Sequence, residues 1–205
     1  MIKIIEGPEG IQGSEPWLAL RRGLVTASEV SAVLGLSPWD TRESLLHKKI
    51  NNVASEYKEV FEIGKQTEID IRQFFEAKMK FPLYQHVLVN DKYPFLLASF
   101  DGINLDEKFA IEAKYLSREK FLNVGKNIVP ENYMPQIQTQ LLIAELDGMF
   151  FAGKCPSKLR NEPEENPLYS GIKYCYVEAN KDMQNEIITH ASIFFKELND
   201  GPNLD

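Results

Sequence analysis

The stretch Phe109-Ala110-Ile111-Glu112-Ala113-Lys114-Tyr115 constrains the fold more than any other. Phe109, Ala110, Ile111 and Ala113 read as a largely buried strand, and on a strand residues two apart share a face. Glu112 and Lys114 therefore project to one side and Ala113 to the other. A carboxylate carried into a core needs a cation or a hydrogen-bonding partner there. The chain must build a site able to hold charge around this strand.

The flanking patterns supply such a frame. Before Pro82 the apolar spacing is helical. Helices are expected over 15–22, from Thr26 to Gly35, over 41–50 and over 56–79, where Val60, Phe61, Ile63, Ile69, Ile71, Phe74 and Phe75 give apolar faces. Thr26-Ala27-Ser28-Glu29 has the pattern of a capping box, and Gly35 that of a helix C-cap. After Pro82 the spacing predicts strands over 84–89, 95–100 and 109–115, with turns at Asp101-Gly102 and Asp106-Glu107-Lys108. Helices over 117–124 and 131–146, strands over 149–153 and 173–178, and a helix over 180–198 complete the chain. The polar stretch 156–167 reads as a surface loop. This order predicts one α/β (mixed α+β) domain over 1–205, with a central twisted mixed sheet flanked by helices.

Composition limits the class. At 43% hydrophobic and 26% charged residues, the 205-residue chain reads as an ordinary globular domain. Its longest apolar runs, such as Leu141-Leu142-Ile143-Ala144, are too short to span a membrane, and Met1 to Glu6 lacks a signal-peptide pattern, so a cytoplasmic location is expected. Cys155 and Cys175 fit neither a zinc knuckle nor a disulfide framework and read as reduced thiols. A net charge of −7 opposes a broad basic face. Nucleic-acid binding then depends on local charge, because carboxylates that surround metal ions spend negative charge at the site itself.

Asp101 ends the strand before the hairpin, which can bring it beside Glu112 and Lys114. Two carboxylates and the main-chain carbonyl of Ala113 make a plausible half-shell for Mg²⁺, which takes oxygen ligands and retains waters. Lys114 could orient an attacking water or take its proton. Glu68, on the helix before the sheet, is a possible further ligand. Gln136 and Gln140 share a helix face, with Gln138 on the other side.

Five blocks in order resemble the lambda-exonuclease/YqaJ group of phage and prophage alkaline exonucleases, in the PD-(D/E)xK nuclease superfamily. They are Trp17 through Ser28 (WLALRRGLVTAS), Gly64-Lys65-Gln66-Thr67-Glu68, Ser99-Phe100-Asp101-Gly102, Ile111-Glu112-Ala113-Lys114 and Tyr133-Met134-Pro135-Gln136-Ile137-Gln138. The resemblance implies a restriction-endonuclease-like core and a metal-dependent 5′→3′ exodeoxyribonuclease that digests one strand of linear double-stranded DNA from its ends and leaves a 3′ overhang for a single-strand annealing protein. It implies Asp101, Glu112 and Ala113 as ligands of Mg²⁺ (or Mn²⁺), with two ions per site. Lys114, Gln136 and Glu68 complete the catalytic set, Ser99 contacts the DNA backbone, and Arg21 and Ser28 hold the 5′-terminal phosphate. Arg22 competes with Arg21 for that role. Amides in the first turn after Thr26 would favour an anion beside Ser28.

The resemblance also implies a homotrimeric ring, whose lining could draw on Lys48, Lys49, Arg118, Lys120 and Lys126. The sequence departs from the lambda enzyme between Gly35 and Thr41, where a longer basic segment is replaced by Leu36-Ser37-Pro38-Trp39-Asp40. Trp39 there is expected as a buried hydrophobic staple or, failing that, a stacking surface. Two alternatives share the same residues: a structure-selective or site-specific endonuclease of the superfamily, and a catalytically silent DNA-binding module.

Overall fold

The computed structural model describes residues 1–53, 60–159 and 164–200. The described strands form two four-stranded sheets. In the first, β1 (Ile2–Ile4) and β4 (Leu96–Ser99) flank β3 (Val87–Asn90) antiparallel, and β2 (Val25–Thr26) runs parallel to β4. In the second, β5 (Gly102–Asn104) pairs antiparallel with β6 (Phe109–Tyr115). Strand β7 (Gly148–Lys154) lies parallel to β6, and β8 (Lys173–Glu178) closes the sheet antiparallel. Both sheets share one chain segment, broken only at Phe100 and Asp101, and a bridge from Tyr84 to Ile103 spans the break. The mixed α+β class is as expected, with the sheet divided in two at the residue of greatest chemical interest.

Three described strands, β1, β2 and β5, are absent from the expectation. β1 and β2 are too short for their alternation to register and exist by pairing with β3 and β4. The Asp101-Gly102 turn is also corrected. Gly102 opens β5, opposite Ile111, and the hairpin turn follows β5, with Lys108 in the left-handed region at φ 50°.

Helices surround the sheets: α1 (Glu15–Gly23), α2 (Val30–Val33), α3 (Arg42–Ile50), α4 (Val60–Met79), α5 (Arg118–Val124), α6 (Met134–Ala144) and α7 (Lys181–Asp200). Local chemistry sets their ends. Ser14, Thr41 and Ser117 accept hydrogen bonds from the amides of Trp17, Ser44 and Lys120. Glu29 Oε2 accepts the Thr26 amide at 3.0 Å, as the capping-box pattern requires. Gly35, at φ 73°, ends α2: its amide reaches the Ala32 carbonyl and the Leu36 amide the Ser31 carbonyl. Of the helix expected over 56–79, residues 56–59 lie outside those described, as do 160–163 of the 156–167 loop. Ile63 and Ile69, expected on an apolar face of α4, are exposed, whereas Ile71 and Phe75 are fully buried.

Helix α6 is the centre of the packing. It contacts β3, β4, β7, α2 and α7, and from Pro135 to Ala144 only Gln136 is less than buried. Ile137, Leu141 and Ile143 join Leu96, Phe100, Phe121, Phe151 and Phe194 in the main core. A second cluster, centred on Ile71 and Phe75 of α4 with Phe109 and Ile111, fills the far face of β6. Strand β6 is thus covered on both sides, which explains its near-continuous apolar sequence.

Gly102 permits the close approach at the sheet break. A Cβ there would lie 2.9 Å from Ile111 Cγ1 and 3.2 Å from Leu83 Cβ, both in buried residues. Gly102→Ala is expected to lower unfolding free energy by about 1–3 kcal/mol through overpacking. Chemical denaturation measures this, and an unchanged midpoint would mean that β5 and β6 can part without cost.

Candidate active site

Asp101 sits where the backbone leaves one sheet for the other and is held at both ends. Its carbonyl accepts Arg72 Nη1 of α4 at 2.9 Å, and its Oδ2 accepts the Ala113 amide of β6 at 2.8 Å. The carboxylate thereby takes the place of a backbone partner at the edge of β6. Glu112 is 1% exposed and fully engaged. Its Oε1 accepts Gln136 Nε2 at 2.6 Å and pairs with the Lys114 ammonium; its Oε2 accepts Gln140 Nε2 at 2.6 Å. Gln140 also donates to the Ser99 carbonyl at 3.1 Å. Gln136 and Gln140, one turn apart, lie on the side of α6 that faces Glu112.

The charges are unbalanced. Burial pushes the Asp101 carboxyl well above the usual range; Glu112 and Glu68 push the same way, while Lys114 and the Ala113 amide pull it down. Glu68 is also raised, by burial first, with Lys114 opposing and Glu112 adding to the shift. For Lys114, burial would depress the ammonium, but Glu112 and Asp101 outweigh it and hold the group above its ordinary value. Three carboxylates therefore share one field with Lys114 and, at the Asp101 carbonyl, Arg72. A cation would relieve that repulsion.

The donor set fits a hard ion: carboxylate oxygens of Asp101 and Glu112, with the Ala113 carbonyl on the same strand. Among the described residues no three His, Cys, Asp or Glu side chains converge to hold an ion alone. The shell would need that carbonyl and solvent. Gln140 Oε1, buried with no hydrogen-bond partner, is a further unused acceptor beside Glu112.

A cleft of about 120 Å³ opens onto this cluster, lined by Asp101, Glu112, Lys114 and Gln136 on one side and by Trp17, Arg21, Thr26 and Ser28 on the other, with Ser99 and Gln12 between. Arg21 Nη2 reaches Thr26 Oγ1 at 3.4 Å and Ser28 Oγ at 3.3 Å, with its guanidinium over the Trp17 ring at 4.5 Å. The Trp17 indole donates to Ser99 Oγ at 3.2 Å, and Gln12 Nε2 to the Phe100 carbonyl at 3.0 Å, tying the two walls together. Arg22 turns away and hydrogen-bonds Asn52 Oδ1. The segment after Thr26 is a 3₁₀ turn (Ala27–Glu29) followed by α2, too short for a substantial dipole, so positive charge in this corner comes from Arg21.

Arg21, Ser28, Ser99, Asp101, Glu112, Lys114 and Gln136 thus line one cleft, with Glu68 within electrostatic reach and Ala113 beside it, its amide on Asp101. Thr26, Trp17, Gln12 and Arg72 were not singled out as site residues by the sequence. Gln140 carried one usable signal, its one-turn spacing from Gln136. Three other expectations are corrected. Trp39 is 68% exposed rather than a buried staple. Lys49 is buried and cannot line a channel. Arg118 is held by the carbonyls of Pro156 and Ser157 and lies over Tyr169. Gln138, on the far side of α6, donates to the Glu178 carbonyl and accepts the Asn180 amide. Cys155 and Cys175 are free and buried. Among the described residues no helix is long and apolar enough to cross a membrane.

Fold and cleft together define a mixed α+β domain with the architecture of alkaline exonucleases. The chain superposes on the alkaline exonuclease LHK-Exo of Laribacter hongkongensis with a TM-score of 0.72 at 20% identity, over 91% of this chain and 93% of that one. The same protein in complex with dAMP gives 0.71 at 19% identity over the same shares. A phage-related exonuclease from Haemophilus somnus 129PT gives 0.56 at 13% identity, over 90% and 98%. At these identities the likeness is one of fold. Residues 16–147 match the YqaJ-like viral recombinase domain, and the chain belongs to that family. It is also 28% identical over 131 residues to the uncharacterized protein YqaJ of Bacillus subtilis (strain 168), covering 62% of this chain and 41% of that protein, so it spans about two fifths of that relative's length.

The unbalanced cluster has a consequence for stability. Asp101→Asn keeps an acceptor for the Ala113 amide and removes one buried charge facing Glu112 and Glu68. In metal-free protein near neutral pH this variant is expected to be more stable by about 1 kcal/mol or more. Thermal unfolding in a chelator reads it, and a lower midpoint for the variant would show the carboxylate to be satisfied without a cation.

Proposed function

We propose that the protein is a metal-dependent 5′→3′ exodeoxyribonuclease that digests one strand of linear double-stranded DNA and leaves a 3′ overhang. One observation carries the reading: the Asp101–Glu112–Lys114 cluster and the Arg21–Thr26–Ser28 corner line the same cleft. A hydrolytic site and an anion-binding corner so close together suit a substrate whose scissile phosphodiester lies near a terminal phosphate.

Mg²⁺, or Mn²⁺ in its place, would be held by Asp101, Glu112 and the Ala113 carbonyl with Glu68 nearby, as one ion or a pair, and would supply Lewis acidity toward the phosphate and acidify a water. The chain's own residues do the rest. Lys114, paired to Glu112 and held as an ammonium, orients the attacking water, whose proton leaves to solvent. Gln136 and Gln140 fix both oxygens of Glu112 so that its charge faces the cleft. Arg21, with the Thr26 and Ser28 hydroxyls, receives the 5′-terminal phosphate. Ser99, oriented by the Trp17 indole, contacts the backbone between the two. Attack at phosphorus breaks one P–O bond, and the departing oxygen takes up a proton. The homotrimer and the single-strand annealing partner enter this reading from the family resemblance.

The test uses linear duplex DNA with one 5′-phosphorylated end, beside a sealed circle. The account expects Mg²⁺-dependent loss of the phosphorylated strand, survival of its complement and an intact circle, with Lys114→Ala slower by about 10²-fold or more. Cutting of the circle would favour the endonuclease alternative. DNA binding without cleavage in Mg²⁺ or Mn²⁺ would favour the silent binding module.

A further inference from the structure

Among the described lysines that form ion pairs, Lys49 has the most deeply buried side chain, 5% exposed in the last turn of α3. An ammonium has three protons to donate, and each finds an acceptor here. They are the Arg21 carbonyl at 2.6 Å, the Leu24 carbonyl at 2.9 Å and Glu29 Oε2 at 2.8 Å. The two carbonyls belong to the C-terminal end of α1, where a cation is favoured. Burial depresses the Lys49 ammonium, and Glu29 opposes that shift. Lys49 therefore joins α3 to the end of α1 and to Glu29 from a position remote from the cleft in sequence.

Glu29 faces two cations unequally. Its Oε2 takes Lys49 and the Thr26 amide, while its Oε1 stands 3.9 Å from Arg21 Nη2. Arg21 Nη2 has only long contacts, at 3.3 Å and 3.4 Å, to the Ser28 and Thr26 hydroxyls. Its charge is weakly spent because Lys49 has already claimed Glu29. Without Lys49, Glu29 would be a partly buried carboxylate with Arg21 as its nearest remaining cation. It would swing onto the guanidinium and close the corner to anions.

We propose that Lys49 is a positioning residue that sets the preference for a 5′-phosphorylated end by holding Glu29 away from Arg21. This rests on the reading of Arg21, Thr26 and Ser28 as the terminal-phosphate corner. It assigns the discrimination to a residue that does not touch DNA.

The experiment compares initial digestion rates on two linear duplexes that differ only in a 5′-phosphate or 5′-hydroxyl at one end. The proteins are the original chain, Lys49→Met and the double variant Lys49→Met/Glu29→Gln, each checked for folding by circular dichroism at the assay temperature. The original chain prefers the phosphorylated end. Lys49→Met is expected to lose that preference by about tenfold or more, the effect of one lost charge-assisted hydrogen bond. The double variant is expected to regain most of it, because no carboxylate then competes for Arg21. A support role alone would lower both rates in step and leave the ratio unmoved.

Lys49→Met with the original ratio overturns the proposal, and so does a double variant that lacks the preference. Where Lys49→Met fails to fold, Lys49→Gln, uncharged but still a donor to the buried carbonyls, is read against the double variant in its place. An original chain that treats both ends alike refutes the terminal-phosphate reading itself and this proposal with it. That outcome is distinct from the other two.

Discussion

The burial of Glu112 is the constraint on which the rest of this structure turns. A carboxylate with 1% exposure on a strand covered from both sides must have its oxygens satisfied from within. Lys114, Gln136 and Gln140 do so. Two of these three come from α6, so the helix must lie over β6 in a single rotational setting. That setting sends Gln138 to the opposite side, where it ties down the start of α7. The hydrogen bonds to Glu112 and the packing of the helical layer are one arrangement.

The same burial leaves the site short of positive charge. Asp101 and Glu68 are both held above their ordinary carboxyl values, first by burial and partly by Glu112. Such a cluster is costly in isolation and suited to receiving a cation, a common trade between stability and activity. The neighbouring corner shows the opposite economy. There a buried ammonium neutralises Glu29 and leaves Arg21 with charge to offer an anion. The cleft thus presents a cation-seeking wall and an anion-seeking wall, and the proposed DNA-end reading rests on that local charge rather than on the net charge of −7.

Much of this was legible in the sequence. The face shared by Glu112 and Lys114 follows from strand alternation, and the Thr26–Glu29 capping box and Gly35 stop follow from local chemistry. β1 and β2 were not legible, because strands of two or three residues exist only through their partners. The break at Asp101 was read as a turn because Asp-Gly is a turn signal, and nothing local reveals that Gly102 must pack against Ile111. Lys49 read as a surface cation on an amphipathic helix. Its acceptors lie 20 to 28 residues earlier, and only the tertiary fold assembles them. Gln140 was visible as a helical neighbour of Gln136, but its link to Glu112 depends on where α6 docks.

The central claim is that the buried carboxylates form a cation site at the floor of a DNA-end cleft. Anomalous diffraction from crystals grown with Mn²⁺ and a short 5′-phosphorylated duplex measures it most directly. The account predicts a manganese peak bound by Asp101, Glu112 and the Ala113 carbonyl, with the terminal phosphate against Arg21 and Ser28. A cleft that holds DNA with no manganese at those oxygens, or manganese bound elsewhere, would contradict it.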